Sequence, residues 1–547
     1  MAGQTDNRRL TRRLATPLAA IALLTVAWLA WDRYAVAPPE SVSAPAPVVR
    51  EPGGREAPGR DIYYGPPNSL AVLPFTDGSP AADQAPQAIG FAGDVLERLA
   101  LIPELRVTAR TSSFYFRDPS TPPRLIAERL QSAFLLRGEW REAEGQVTLT
   151  ASLFDGRRDK EAWRKTYAGR LAELPSLREA LVRDAVDAMP GVGSKSAAAN
   201  DPRPGAAPSF NPAAWLLLQR GLYQADALSR PPTQPLTGAD LLSAQASLQA
   251  ALDLDPAFDE ARLALAELWL HPAWPPDQDG AGVEGSRRLA QQMLERQPGP
   301  GRIRAEARAE ARFEARAWGV LSYIRHRQDW DWQGAAEAGR RAVALHPGDA
   351  GLLLVATVAL STLAEFEEAR ELLEASVERD PLNLGSRLRL GLLQEFSGLY
   401  DEALASYRRV LALHPEYPAA RAYRARVKAL QGKGESALRE ATQETDPFWR
   451  RYAQILALTV AERPGEAEPL LQTMVAEDGQ IAAFQLAELH AFRGEIDYAF
   501  EWLQRAREQK DPGLSALLGN PLLGNLVGDP RWPEHLGQLG LPLDWSR

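Results

Sequence analysis

Tyr400 to Pro415 read YDEALASYRRVLALHP. Ala403, Tyr407, Val410 and Leu411 recur at three- and four-residue steps, the period of one helical face. His414-Pro415 closes the run, because proline cannot continue a helix. Counting twelve positions back from Pro347, Pro381 and Pro415 gives Ala335, Ala369 and Ala403, so the pattern returns every 34 residues. It goes on to Ala437 and then, in shorter steps, to Ala467 and Ala499. Dipeptides of the same kind stand at Asp255-Pro256, His346-Pro347, Asp380-Pro381, Asp446-Pro447 and Asp511-Pro512. A small residue at a fixed place in each period lets two helices cross closely, so these alanines are expected at buried crossings. One helix pair cannot cover its own apolar face, and successive pairs must therefore stack.

A 34-residue helix-turn-helix with a small residue opening its second helix and a proline at its end resembles the tetratricopeptide repeat, and Gly391 and Tyr407 fit its pattern. Before Ala335 the match is looser. Ala244 to Pro256 reads as a second half-unit whose first helix is Ala213 to Leu228, and Ser286 to Pro298 as part of another. About eight units are expected over residues 213–513, with 514–547 a tail packing on the last repeat.

The resemblance places the fifth, sixth and ninth positions of each unit on the concave face. These are Val320, Leu321 and Ile324, then Leu354, Val355 and Val358, then Leu388, Arg389 and Leu392, then Ala422, Tyr423 and Arg426. An apolar groove with two arginines suits an amphipathic or extended peptide, which makes a protein segment the expected partner. A second reading keeps the groove for the chain's own small domain or C-terminal tail.

Arg304, Arg308, Arg312 and Arg316 recur every four residues, with Glu306, Glu310 and Glu314 offset by two. That offset puts the two signs on opposite sides of a helix, so the arginine ladder needs neutralising by neighbours. Carboxylates of an adjacent repeat or an acidic partner would do it.

Upstream, residues 62–188 mix periods. SLAVLPF (Ser69 to Phe75) and LRVTA (Leu105 to Ala109) are short β-rich runs, and Ile89 to Leu101 is amphipathic. Val147 to Phe154 alternates as a strand with one wet face would, pairing with Phe134 to Trp140 across a turn at Arg141 to Gly145. Ala162 to Tyr167 follows as a strand and Leu174 to Ala188 as a helix. These segments, with FAGDVLERLALIPELRVTARTSSFYF (Phe91 to Phe116) and IAERLQSAFLLRGEW (Ile126 to Trp140), resemble the TolB-amino-terminal-like (FlgO-like) domain. That domain often precedes tetratricopeptide repeats in bacterial adenylate-cyclase-associated and CadC-like regulator proteins. Asp77-Gly78-Ser79-Pro80 stands where the family commonly has an Asn-x-Ser loop.

Ala15 to Trp31 is apolar, with Arg8, Arg9, Arg12 and Arg13 before it and Trp28, Trp31 and Tyr34 placed for the far interface. Residues 15–34 are expected to be one transmembrane helix of the inner membrane, after a cytoplasmic stub (1–14) and before a Pro-rich stalk (35–61). The arginines would hold the N-terminus in the cytoplasm and send the bulk outside. Cleavage after Ala35-Val36-Ala37 is the other reading. The expected fold is thus an α/β small domain, a linker (189–212) and an all-α superhelix, behind one membrane anchor.

No chemistry announces itself. A net charge of -9 argues against nucleic acid, and zero cysteines exclude disulfides and thiolate metal sites. Gly191 to Ser196 (GVGSKS) fails the phosphate-loop spacing because Ser194 stands where glycine is required. His271, His326, His346, His414, His490 and His535 form no metal-ligand spacing, and His346 and His414 are expected to cap helices. A fourteen-residue stub is short for the cyclase or winged-helix domain of related architectures. The expectation is a non-catalytic protein without cofactor, a ligand sensor or enzyme with a pocket in 62–188 being the alternative.

Overall fold

The computed structural model describes residues 65–190 except 80 and 82, then 210–226, 236–271, 274, 282–295 and 304–543. The expected stub, anchor and stalk, and most of the linker, lie outside the described residues. Among the described residues, no helix is long and apolar enough to cross a membrane.

The small domain is a mixed sheet of six strands: β1 Ser69–Val72, β2 Thr76–Asp77, β3 Arg106–Val107, β4 Phe134–Ala143, β5 Gln146–Asp155 and β6 Lys160–Arg170. The order is β3-β1-β4-β5-β6, with β2 beside β4. β1 runs parallel to β3 and β4, and all four of its residues are buried, as a central strand covered on both faces requires. β4, β5 and β6 are antiparallel. Glu144 and Gly145 make the β4–β5 turn, both with left-handed φ (52° and 75°), a geometry that matches the twist of a two-residue hairpin and suits glycine. In β5, Val147, Leu149, Ala151 and Leu153 face inward while Thr148, Thr150 and Ser152 stay partly wet. Helix Ala85–Ala100 lays Phe91, Val95 and Leu99 on that inner face, and helix Leu174–Asp187 completes the layer.

Beyond residue 210 the chain is helical, a tetratricopeptide-like superhelix. Eight helix pairs stand among the described residues. The first three are Pro212–Ala225 with Gly238–Leu254, Asp259–Trp269 with Val283–Glu295, and Arg304–Ile324 with Trp332–Leu345. Ala350–Thr362 with Phe366–Arg379, Leu384–Phe396 with Tyr400–Leu413, and Ala420–Leu430 with Gly434–Ala441 follow. Pro447–Val460 with Pro464–Asp478 and Ala483–Phe492 with Ile496–Glu508 complete the set. Ala335, Ala369, Ala403, Ala437, Ala467 and Ala499 are all fully buried, where the second helix of each pair meets its neighbours. Gly391 shows how close the approach is: a Cβ there would stand 2.4 Å from the Tyr407 ring. His346 and His414 do end their helices, but both His346 ring nitrogens are buried without a hydrogen bond, so its ring caps no carbonyl.

After the eighth pair come short 3-10 turns at Pro512–Ala516 and Pro521–Leu526 and a helix at Arg531–Gln538. The expectation that this tail packs on the last repeat is too narrow. It follows the inner face back to the third pair, where Trp332 Nε1 donates to Leu539 O at 2.7 Å.

Candidate functional site

The expected open groove is closed. Val320, Leu321, Ile324, Leu354, Val358, Leu388, Arg389, Tyr423 and Arg426 are buried, and only Leu392 and Val355 keep partial exposure. The structure does not bring them together on one surface. Val320, Leu321 and Ile324 pack on Leu263 and Ala290 of the second pair, because Arg304–Ile324 is a 21-residue helix whose last turns are wedged between pairs. Leu388 and Tyr423 pack with Tyr407 and Tyr417. Leu354 shares a core with the tail residues Leu514, Leu518, Leu522 and Leu526. The occupant is thus the chain itself.

Arg426 carries the polar half of that contact. Its guanidinium donates to Glu395 (2.6 Å), Glu488 (3.0 Å), Tyr452 Oη (3.3 Å) and the tail residue Asn520 (3.0 Å). Asn520 Nδ2 donates in turn to Glu488 at 2.7 Å, and Tyr452 to its other oxygen at 2.8 Å. Burial pushes Glu395 upward, and the neighbouring Glu488 charge adds to it. Burial also works against the Arg426 charge, but Glu395, Tyr452 and Glu488 more than offset it. Four helix pairs and the tail meet at one fully bonded ion cluster, in which each buried charge has a partner.

The tail is fixed at further points. Asp511 accepts the N–H of Phe484 (3.0 Å) and of Gly513 (2.8 Å), and burial pushes its carboxyl up to about 6. Asn525 Nδ2 donates to Ala491 O at 2.8 Å.

The small domain docks along the N-terminal half of the superhelix. Trp140 stacks on Trp215 of the first pair, ring centroids 6.1 Å apart, and Trp215 Nε1 donates to Asp94 at 2.8 Å. At the turn between the fourth and fifth pairs, Asp380 takes both hydroxyls of the small domain's Thr111 and Ser112, each at 2.5 Å. Ser112 Oγ also accepts Leu382 N, and Arg379 O accepts Ala109 N at 2.7 Å. Burial raises the Asp380 carboxyl, opposed by these hydrogen bonds.

The arginine ladder joins the same interface. Arg312 binds Glu97 of the small domain (2.6 Å), and Arg316 binds Glu267 of the preceding pair (2.7 Å). The side chains of Arg304 and Arg308 lie outside the described set. In the Asp77 to Pro80 loop, Asp77 accepts the N–H groups of Ser79 and Gln84, and Gln84 accepts from Trp140 Nε1, so these groups bond within the fold. Sequence reasoning passed over Thr111, Ser112 and Asn520, and treated Asp380 only as a helix stop.

No family model matches the chain. It is 26% identical over 201 residues to "Putative adenylate cyclase 3" of Rhizobium meliloti (strain 1021), a match covering 36% of this chain and 32% of that protein. The chain thus spans about a third of the length of the curated relative it matches. Among solved structures, a tetratricopeptide repeat protein from Parabacteroides merdae shares 14% identity at TM-score 0.32, covering 58% of this chain and 99% of that one. PilF of Pseudomonas aeruginosa shares 16% at 0.28, covering 51% and 97%. Yeast Tom70 shares 13% at 0.32, covering 67% and 78%. These likenesses carry no functional information.

Proposed function

We propose that the chain is a non-catalytic protein-protein interaction scaffold, anchored in the inner membrane by Ala15 to Tyr34 with its bulk outside the cytoplasm. The observation that carries the reading is a stack of helix pairs held in one shape by its own small domain and its own tail. A surface of fixed shape loses little freedom when a partner binds, which favours association. The small domain's element order, with the residues quoted above, supports a TolB-like assignment and a place in bacterial envelope signalling or assembly.

Two experiments test this. A reporter active only outside the cytoplasm should work when fused after Arg547 and fail when fused after Met1; the reverse result removes the proposed localisation. Site-specific photo-crosslinkers on the exposed surface of the full chain in membranes should trap other proteins, and adducts with itself alone would overturn the scaffold.

The likeness to a protein named as an adenylate cyclase favours a second reading, an enzyme or ligand sensor, in which residues 62–188 would hold the pocket and the repeats would recruit its target. The full chain would then form cyclic AMP from ATP, or gain thermal stability from a nucleotide. Neither effect at millimolar ATP dismisses it.

A further inference from the structure

Among the described residues β6 is a free edge of the sheet, since the strand order ends on it. It runs eleven residues, about twice the usual strand length, and only Tyr167 in it is buried. Two observations fix which of its main-chain groups point away from β5. Thr150 and Thr166 stand opposite each other with hydroxyl oxygens 3.2 Å apart, the close spacing of a pair that exchanges no main-chain bonds. Arg170, in step with Thr166 along the strand, donates its N–H outward to Glu173 Oε2 at 2.7 Å. The N–H and C=O of Arg164, Thr166 and Ala168 therefore face outward, and among the described residues no main-chain hydrogen bond from another segment reaches them. A row of such groups is a template for a further strand.

Natural edges are guarded by proline, by a bulge or by charge. β6 contains no proline, and the register shift in its pairing, between Leu153 and Phe154, lies near its Lys160 end. Its central charges are already matched: Glu161 holds Arg164 at 2.6 Å and Asp184 holds Lys165 at 2.7 Å.

We propose that β6 pairs with β6 of a second copy of this chain, antiparallel about a two-fold axis through Thr166, so that the two sheets become one. Charge and the free row select that register. Centring on Arg164 or on Lys165 sets a cation against its own copy, and centring on Tyr167 sets Arg164 against Arg170. Nearer Lys160 the register shift interrupts the row, and nearer Arg170 the row is cut short where Glu173 has taken the N–H. Centred on Thr166, Arg164 faces Ala168, Lys165 faces Tyr167 and the two Thr166 side chains meet, with no like charges opposed. Lys165 Nζ already stands 5.3 Å from the Tyr167 ring within one chain, so the contact across the axis repeats one the strand makes along itself. The pairing needs no other protein, and it stands or falls separately from the scaffold reading.

The chain has no cysteine, so a single introduced thiol reports contact cleanly. In membranes holding the full chain with Thr166→Cys, a short bifunctional maleimide should give a product of twice the chain mass. Adding Ala168→Glu, which faces Arg164 of the second copy, should raise the yield and adding Ala168→Lys should lower it, each shifting dimer affinity by up to about thirtyfold because the pair occurs twice. Thr166→Pro removes an N–H that β5 does not use, so the purified full chain should keep its circular dichroism and lose its dimer in light scattering. No self-linked product, or linkage to other proteins alone, would overturn the pairing. So would a dimer that Ala168→Glu and Ala168→Lys leave equally tight.

Discussion

Arg426 and Asn520, 94 positions apart in the chain, are joined by a 3.0 Å hydrogen bond and share Glu488 as a common acceptor. Replacing Asn520 by Leu leaves a buried guanidinium and a buried carboxylate each one partner short. The expected loss is about 1–3 kcal/mol of stability, read as a lower urea midpoint with an unchanged slope.

Arg426→Leu should cost more, about 3–5 kcal/mol, because Glu395 and Glu488 are left facing each other without a cation. Burial already raises the Glu395 carboxyl, and in this variant no guanidinium opposes the rise. An unpaired buried carboxyl folds best protonated, so the variant should recover stability as pH falls from about 7 to about 5. A deficit equal at both values would contradict the cluster.

Asp380→Ala strands the hydroxyls of Thr111 and Ser112 at the domain contact. Its effect should not add to that of Ser112→Ala, with a coupling of about 0.5–3 kcal/mol in a double-mutant cycle. Additive losses would mean that the two residues act separately.

Leu388→Ser places a hydroxyl in the packed core beside Tyr407, whereas Leu392→Ser changes a residue that keeps partial exposure. Thermal melting should show the larger drop for Leu388→Ser. Equal drops would not fit the closed inner face.

Ala369→Leu and Ala403→Leu each overpack a fully buried crossing and should cost about 1–3 kcal/mol. Leu replacing Ala at exposed Ala405 should be close to neutral and serves as the control.

The repeats were legible because their signals are local: an alanine, an aromatic and a proline at fixed distances within 34 residues. Strand alternation in Val147 to Phe154 was legible for the same reason. Groove occupancy was not. Nothing near Leu354 or Arg426 shows that Leu514 to Leu541 will lie over them, since the contacts join residues 94 or more positions apart. Asp380 shows the same limit in another form. Its pairing with proline explains the helix end so fully that its second task, accepting two hydroxyls from a segment 268 residues earlier, left no mark on the pattern.

The two internal contacts overlap. The small domain reaches from Trp215 in the first pair to Asp380 before the fifth, and the tail from Phe484 in the eighth back to Trp332 in the third. A stack of repeats with only nearest-neighbour contacts stretches like a spring and melts unit by unit. Here the third and fourth pairs lie under both spans, so the array behaves as a splinted rod. Under tension it should resist extension up to one abrupt rupture rather than yield in eight small steps.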